Sequence, residues 1–228
     1  MVLNNETLIN NCNKLKEQYS DLTCRTTNDG SLIVIIKRIQ DEVYLRSQLA
    51  LHPDDENRLL KITAPKRIQE WLTSRFLLKK LFEEDVTIRY TSFGKPYIKQ
   101  CFIGISHSPT HVGFILSDKQ NVAIDIEQCT ERIERLYTKF ISEKESYFLD
   151  KDLKSKTLIW SAKEALYKLG YHDLPDFMQS YEIEPFSINE TEGIFKGKVR
   201  SAVFEHTYTL NYFFIDNNVV VWTKKNHE

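Results

Sequence analysis

The run NVAIDIEQ, residues 121–128, places Asp125 and Glu127 two positions apart inside an apolar segment. A strand pleat turns both carboxylates to one face. Like charges on neighbouring same-face positions repel, so the pair needs a counter-charge. Two sources are open. A lysine or arginine across the sheet would make this an ordinary half-solvated strand face. A hard cation such as Mg2+ would use the carboxylates as ligands and keep positions open for phosphate oxygens.

Three further stretches carry candidate chemistry. In IWSAKEALYKLG, Trp160, Glu164 and Lys168 recur every four residues, so a helix puts the acid and the amine on one face. The same Glu–Lys spacing is also a common surface pair that adds only about 0.2–0.5 kcal/mol to a helix. In GISHSPTH, Ser106, His107 and Ser108 sit where a strand runs into Pro109, a place where short polar donors can hold a phosphate. A solvated turn histidine fits equally, and a serine-nucleophile reading lacks the G-x-S-x-G elbow. In FGKPYI, Lys95 lies between Gly94 and Pro96, in a turn where a lysine is ordinarily just solvated.

The elements that must position these residues follow from periodicity. The first twenty residues have weak helical amphipathicity, and SLIVIIKRI after the turn TNDGS is a β-branched strand. HPDDENRLLKIT offers a helix with an acidic first turn. APKRIQEWLTSRFLLKKLF sets Ile68, Trp71, Leu72, Phe76, Leu78 and Leu81 near one helical stripe, with a basic opposite face. TIRYTSFGKPYI turns through Gly94 and Pro96 as a hairpin. FIGISHS, HVGFILS and NVAIDIE are strands, SEKESYFL and KTLIWSAKEALYKLG are helices, and the second of these ends on Gly170. YEIEPFSI, GIFKGKV, TYTLNYFFID and VVVWTKK form an antiparallel meander. Trp71-x5-Leu77-x-Lys79 echoes Trp160-x5-Leu166-x-Lys168, through internal duplication or through chance.

Composition narrows the classes. The 228 residues suffice for one large domain or two small ones, and 31 basic against 32 acidic residues leave no global field for nucleic acid or an anionic membrane. The N-terminal residues are polar where a signal peptide needs an apolar core, and no window offers eighteen apolar residues, so a soluble, cytoplasmic protein is expected. Cys12, Cys24, Cys101 and Cys129 are scattered without a C-x-x-C pair, which points to reduced thiols rather than zinc or a disulfide framework.

Taken in order, FGKPYI, ISHS, VAIDIE and WSAKEALYKLG resemble the signature of surfactin-type 4′-phosphopantetheinyl transferases, which move the phosphopantetheine arm of coenzyme A onto a carrier-protein serine. The resemblance implies an α+β fold of two similar lobes related by a pseudo-two-fold, with the active site in the cleft between them. Residues 1–108 would form the coenzyme A lobe, and 109–228 the lobe of the metal and the catalytic helix. It implies Asp125, Glu127 and Glu164 as Mg2+ ligands, Mn2+ being acceptable to the same oxygen donors. Glu164 would also activate the serine hydroxyl, directly or through a water, and Lys168 would be a phosphate contact. Ser106 and His107 would hold the adenosine-side phosphate, and Lys95 and Pro96 would line the adenine end. Lys66, Arg67 and Arg75 are candidate basic contacts to coenzyme A.

The implied partners are coenzyme A and an apo acyl or peptidyl carrier protein, with ERIERLYTKFISEKESYFL, residues 131–149, as the segment to watch for carrier docking. A monomer is expected, since the length and the resemblance imply both lobes in one chain, unlike the shorter class of this activity, which assembles as a trimer. One departure is Ala123, where the family pattern often has glycine. Two other classes stay open: a non-catalytic module that binds coenzyme A or a carrier, and a different Mg2+-dependent phosphoryl or nucleotidyl transferase. Against the latter, no G-x-x-x-x-G-K-[ST] loop is present.

Overall fold

The computed structural model describes residues 5–149, 152–171 and 173–225. Between Lys119 and Gln120 the chain divides into two compact units. Both mix helices with antiparallel sheet, in keeping with an α+β chain.

The first unit runs α1 (Asn5–Gln18), β1 (Thr23–Thr26), β2 (Leu32–Lys37), α2 (Glu42–Ser47), α3 (Pro53–Leu59) and α4 (Pro65–Phe82). It continues through a hairpin of β3 (Arg89–Tyr90) and β4 (Pro96–Tyr97) to β5 (Phe102–His107) and β6 (His111–Ser117). Its main sheet has the order β1-β2-β6-β5. The unit closes after β6 because β6 is bonded on one side to β2 and on the other to β5. Leu8 and Leu15 of α1 and Leu77, Leu78 and Leu81 of α4 pack with Val34, Ile36, Phe114 and Leu116 of the sheet. Gly94, at φ +78°, supplies the left-handed residue that the β3–β4 turn requires.

Two expectations are corrected here. The stripe on α4 widens into a helix buried all round from residue 72 to residue 78, so the expected basic face is interrupted. Arg75 is only 4% exposed. Its Nη2 donates to Asp55 Oδ1 at 3.4 Å and to the Tyr90 hydroxyl at 3.1 Å, and its guanidinium lies 3.4 Å from the Trp71 ring centroid. Such an arginine holds α3, α4 and β3 together through paired charge and stacking. The second correction concerns the thiols. Cys12 and Cys24 form a disulfide, because the reversal between α1 and β1 brings their Cα atoms to 6.3 Å. Cys101 and Cys129 are free.

The second unit starts with β7 (Val122–Gln128), then α5 (Glu131–Leu136), a 3-10 turn (Tyr137–Lys139), α6 (Glu143–Ser146) and α7 (Leu153–Lys168). After α8 (Phe177–Ser180) come β8 (Tyr181–Ile183), β9 (Glu192–Arg200), β10 (Glu205–Ile215) and β11 (Asn218–Lys224). The expected meander forms, and β7 joins its far end, giving the order β7-β11-β10-β9-β8. Asp152 caps α7 by accepting from the Ser155 amide at 2.9 Å, and Gly170, at φ +125°, takes the chain out of the helix. Ala162, Ala165 and Leu166 of α7 share a core with Ala123, Val219, Val221, Leu210 and Phe195. Close approach is needed at Gly197, where an added Cβ would stand 2.8 Å from Leu210 Cδ1 and 3.0 Å from Leu166 Cδ1.

A buried ion pair pins α7. Lys163 and Glu145 are both 0% exposed and meet at 2.8 Å. Burial pushes the Lys163 ammonium below its usual range, and Glu145 opposes that shift. Glu145 Oε2 also accepts from the Ser142 amide and hydroxyl, each at 2.8 Å, while its Oε1 accepts from the Ile183 amide at 2.8 Å. Lys163 further donates to the Met178 carbonyl at 3.3 Å. One carboxylate thus joins α6, α7 and β8. Lys163→Ala leaves that carboxylate charged and buried, and an equilibrium urea titration should show a loss of about 3–5 kcal/mol.

Candidate active site

Asp125 and Glu127 stand where the pleat of β7 faces α7, while Ile124 and Ile126 are buried on the opposite face. Their positions are fixed from outside by β11, which opposes Asp125 with Val221 and Glu127 with Val219. From inside, α7 meets each carboxylate with a different donor. Ser161 Oγ donates to Asp125 Oδ2 at 2.8 Å, and Lys168 Nζ donates to Asp125 Oδ1 at 2.6 Å. Trp160 Nε1 donates to Glu127 Oε2 at 3.1 Å. The indole is held against Phe140 and Phe177, at ring-centroid distances of 5.0 and 5.5 Å.

Glu164 is the third carboxylate of the group. Burial, then the charge of Asp125, raises its pKa from 4.5 to about 7, with Glu127 adding in the same direction. Lys168 and Arg132 oppose the rise. Glu127 is raised for the same reasons, burial first and Asp125 next, with the Trp160 bond and Arg132 opposing. The three acids therefore sense one another, and their charge exceeds what the site comfortably holds. Among the described residues no three His, Cys, Asp or Glu side chains are gathered as a ready ligand cage. The donor chemistry nevertheless fits a hard divalent cation: the donors are all carboxylate oxygens, and their mutual repulsion is what such an ion would relieve.

The first unit assembles a second group of the expected residues. His107, at the end of β5, places Nδ1 3.2 Å from Glu70 Oε2, and Arg67 Nη1 reaches the same oxygen at 3.1 Å. Arg67 also contacts the His107 ring. Arg38 joins the neighbourhood, donating to the Pro109 carbonyl at 3.1 Å and bonding Gln69. Ser106 is buried beside His107, and Lys66 is exposed at the start of α4. Lys95 and Pro96 stand apart, on the β3–β4 hairpin, where the Lys95 amide donates to Thr91 Oγ1 at 3.2 Å. Arg75 belongs to the interior described above.

Sequence reasoning missed Ser161, Arg132, Glu70 and Arg38. Ser161 had a usable signal, since it lies seven residues before Lys168 and hence on the same helical face. Glu70 had one as well, three residues after Arg67 on α4, whereas Arg132 and Arg38 come from other elements and had none.

Residues 121–220 match the family model of the 4′-phosphopantetheinyl transferase superfamily. The matched segment contains Asp125, Glu127, Ser161, Glu164 and Lys168. No curated protein matches the chain.

The raised Glu164 carboxyl has a measurable consequence in chelator-treated protein. Its folded pKa exceeds its unfolded value, so its contribution is most favourable below pH 4.5 and declines as pH rises to about 7. Thermal melts across that window should show wild type losing more stability than Glu164→Gln, which cannot ionise. An equal or larger loss in the variant would contradict the assignment.

Proposed function

We propose that the chain is a two-lobed, surfactin-type 4′-phosphopantetheinyl transferase, which moves the phosphopantetheine group of coenzyme A to a serine hydroxyl of an apo carrier protein. The observation that carries this reading is the grouping of Asp125, Glu127, Glu164 and Lys168 on β7 and α7, inside the segment that matches the family. A serine hydroxyl is a weak nucleophile until a base takes its proton, and a carboxylate that the neighbouring cation keeps ionised is placed for that task. Glu164 accepts the proton as the serine oxygen forms its bond to the β-phosphorus of coenzyme A. The bond from that phosphorus to the bridging oxygen breaks, and adenosine 3′,5′-bisphosphate leaves. Lys168 offsets the negative charge that develops on the phosphate oxygens.

Asp125, Glu127 and Glu164 would hold the divalent cation, Mg2+ or Mn2+. When bound, the ion supplies Lewis-acid stabilisation of the diphosphate. In the first unit, Ser106 and His107 are assigned to the adenosine-side phosphate, with Lys66 and Arg67 as further cationic contacts. Lys95 and Pro96 are assigned to the adenine end. Arg75 is left out of this set, because its charge is already taken up by Asp55. No described helix is long and apolar enough to cross a membrane.

Glu164→Gln tests the combined base and ligand role. Release of adenosine bisphosphate in the presence of apo acyl carrier protein should fall at least about 100-fold, even at saturating Mg2+ and coenzyme A. Full activity in the variant would remove Glu164 from its role.

A further inference from the structure

Asp125 is held by two residues of one helix that differ in kind. Ser161 is fully buried, neutral and rigidly placed, and its hydroxyl binds Oδ2. Lys168 lies two turns later, its side chain 31% exposed on a flexible stem, and its ammonium binds Oδ1 at 2.6 Å. It also reaches the Ile124 carbonyl at 3.4 Å. An ammonium at that distance occupies the oxygen a cation would use and repels a second positive charge there. The Ser161 bond has no such conflict, because a carboxylate can accept a hydroxyl on one oxygen and a metal on the other.

We propose that Lys168 is the resident counter-ion of Asp125 in the cation-free protein and must vacate Oδ1 when a divalent cation binds. Ser161 is the positioning residue that keeps the carboxylate oriented through the exchange. The inference rests on the proposed role of Asp125, Glu127 and Glu164 as cation ligands, and it explains how one lysine can serve two partners. Neutralising Asp125 limits repulsion among three carboxylates while the site waits. Once displaced, the same ammonium has the reach and the charge to meet a phosphate oxygen. The exchange also couples the two ligands, since a diphosphate that captures Lys168 removes the competitor for the cation position.

Mn2+ binding to the coenzyme A-free protein, followed by the electron paramagnetic resonance signal of free Mn2+, separates the possibilities without reference to activity. Lys168→Met and Lys168→Gln should bind Mn2+ more tightly than wild type, by about tenfold or more, while Lys168→Arg stays near wild type. Ser161→Ala should weaken binding by about tenfold, with Ser161→Thr restoring it. Damage to the fold would weaken binding in every variant, so tightening in the lysine variants is a specific signature. Wild-type affinity in both neutral lysine variants would overturn the counter-ion role and leave the cation site standing. Absence of Mn2+ binding in every protein would overturn the counter-ion role and the cation site together.

Discussion

The second unit depends on the buried contact between Lys163 and Glu145. Neither charge reaches solvent, so each is tolerable only because the other is there and because the remaining carboxylate oxygens accept amide and hydroxyl protons. The contact sets the rotation of α7 about its axis. With Lys163 fixed toward α6 and β8, Ser161 and Lys168 are turned toward Asp125 and Trp160 toward Glu127. The small residues Ala162 and Ala165 and the absent side chain at Gly197 then let the helix lie close to the sheet.

That closeness creates the electrostatic problem around which the candidate site is built. Three carboxylates share a partly buried space, and two of them are pushed above the usual carboxylate range. A structural salt bridge would need one acid fewer or a second committed cation. A surplus of negative charge, partly balanced by Lys168 and by Arg132, suits a site that receives a cation and an anionic substrate in turn.

Much of this was legible in the sequence, because period-two alternation and a four-residue repeat survive folding unchanged. NVAIDIEQ became a strand with both acids on one face, and WSAKEALYKLG became a helix with its glycine stop. Lys163 was not legible. In the string AKEALYK it reads as one more solvated charge, and its partner Glu145 is 18 positions away on a different helix. Arg75 misled for the same reason, since nothing local reveals that Asp55 will meet it in the interior. The Cys12–Cys24 disulfide depends on a chain reversal whose geometry the spacing does not encode. Ser161 shows the intermediate case: its helical face was readable, but which acid it would serve was not.

Group transfer is read most plainly from the intact mass of a purified apo acyl carrier protein. The carrier is incubated with this protein, coenzyme A and Mg2+, beside a chelated control. A gain of one phosphopantetheine that vanishes with chelator establishes group transfer and its need for a divalent cation. An unchanged carrier mass across acyl and peptidyl carriers, with coenzyme A bound tightly, would contradict it and identify a binding module.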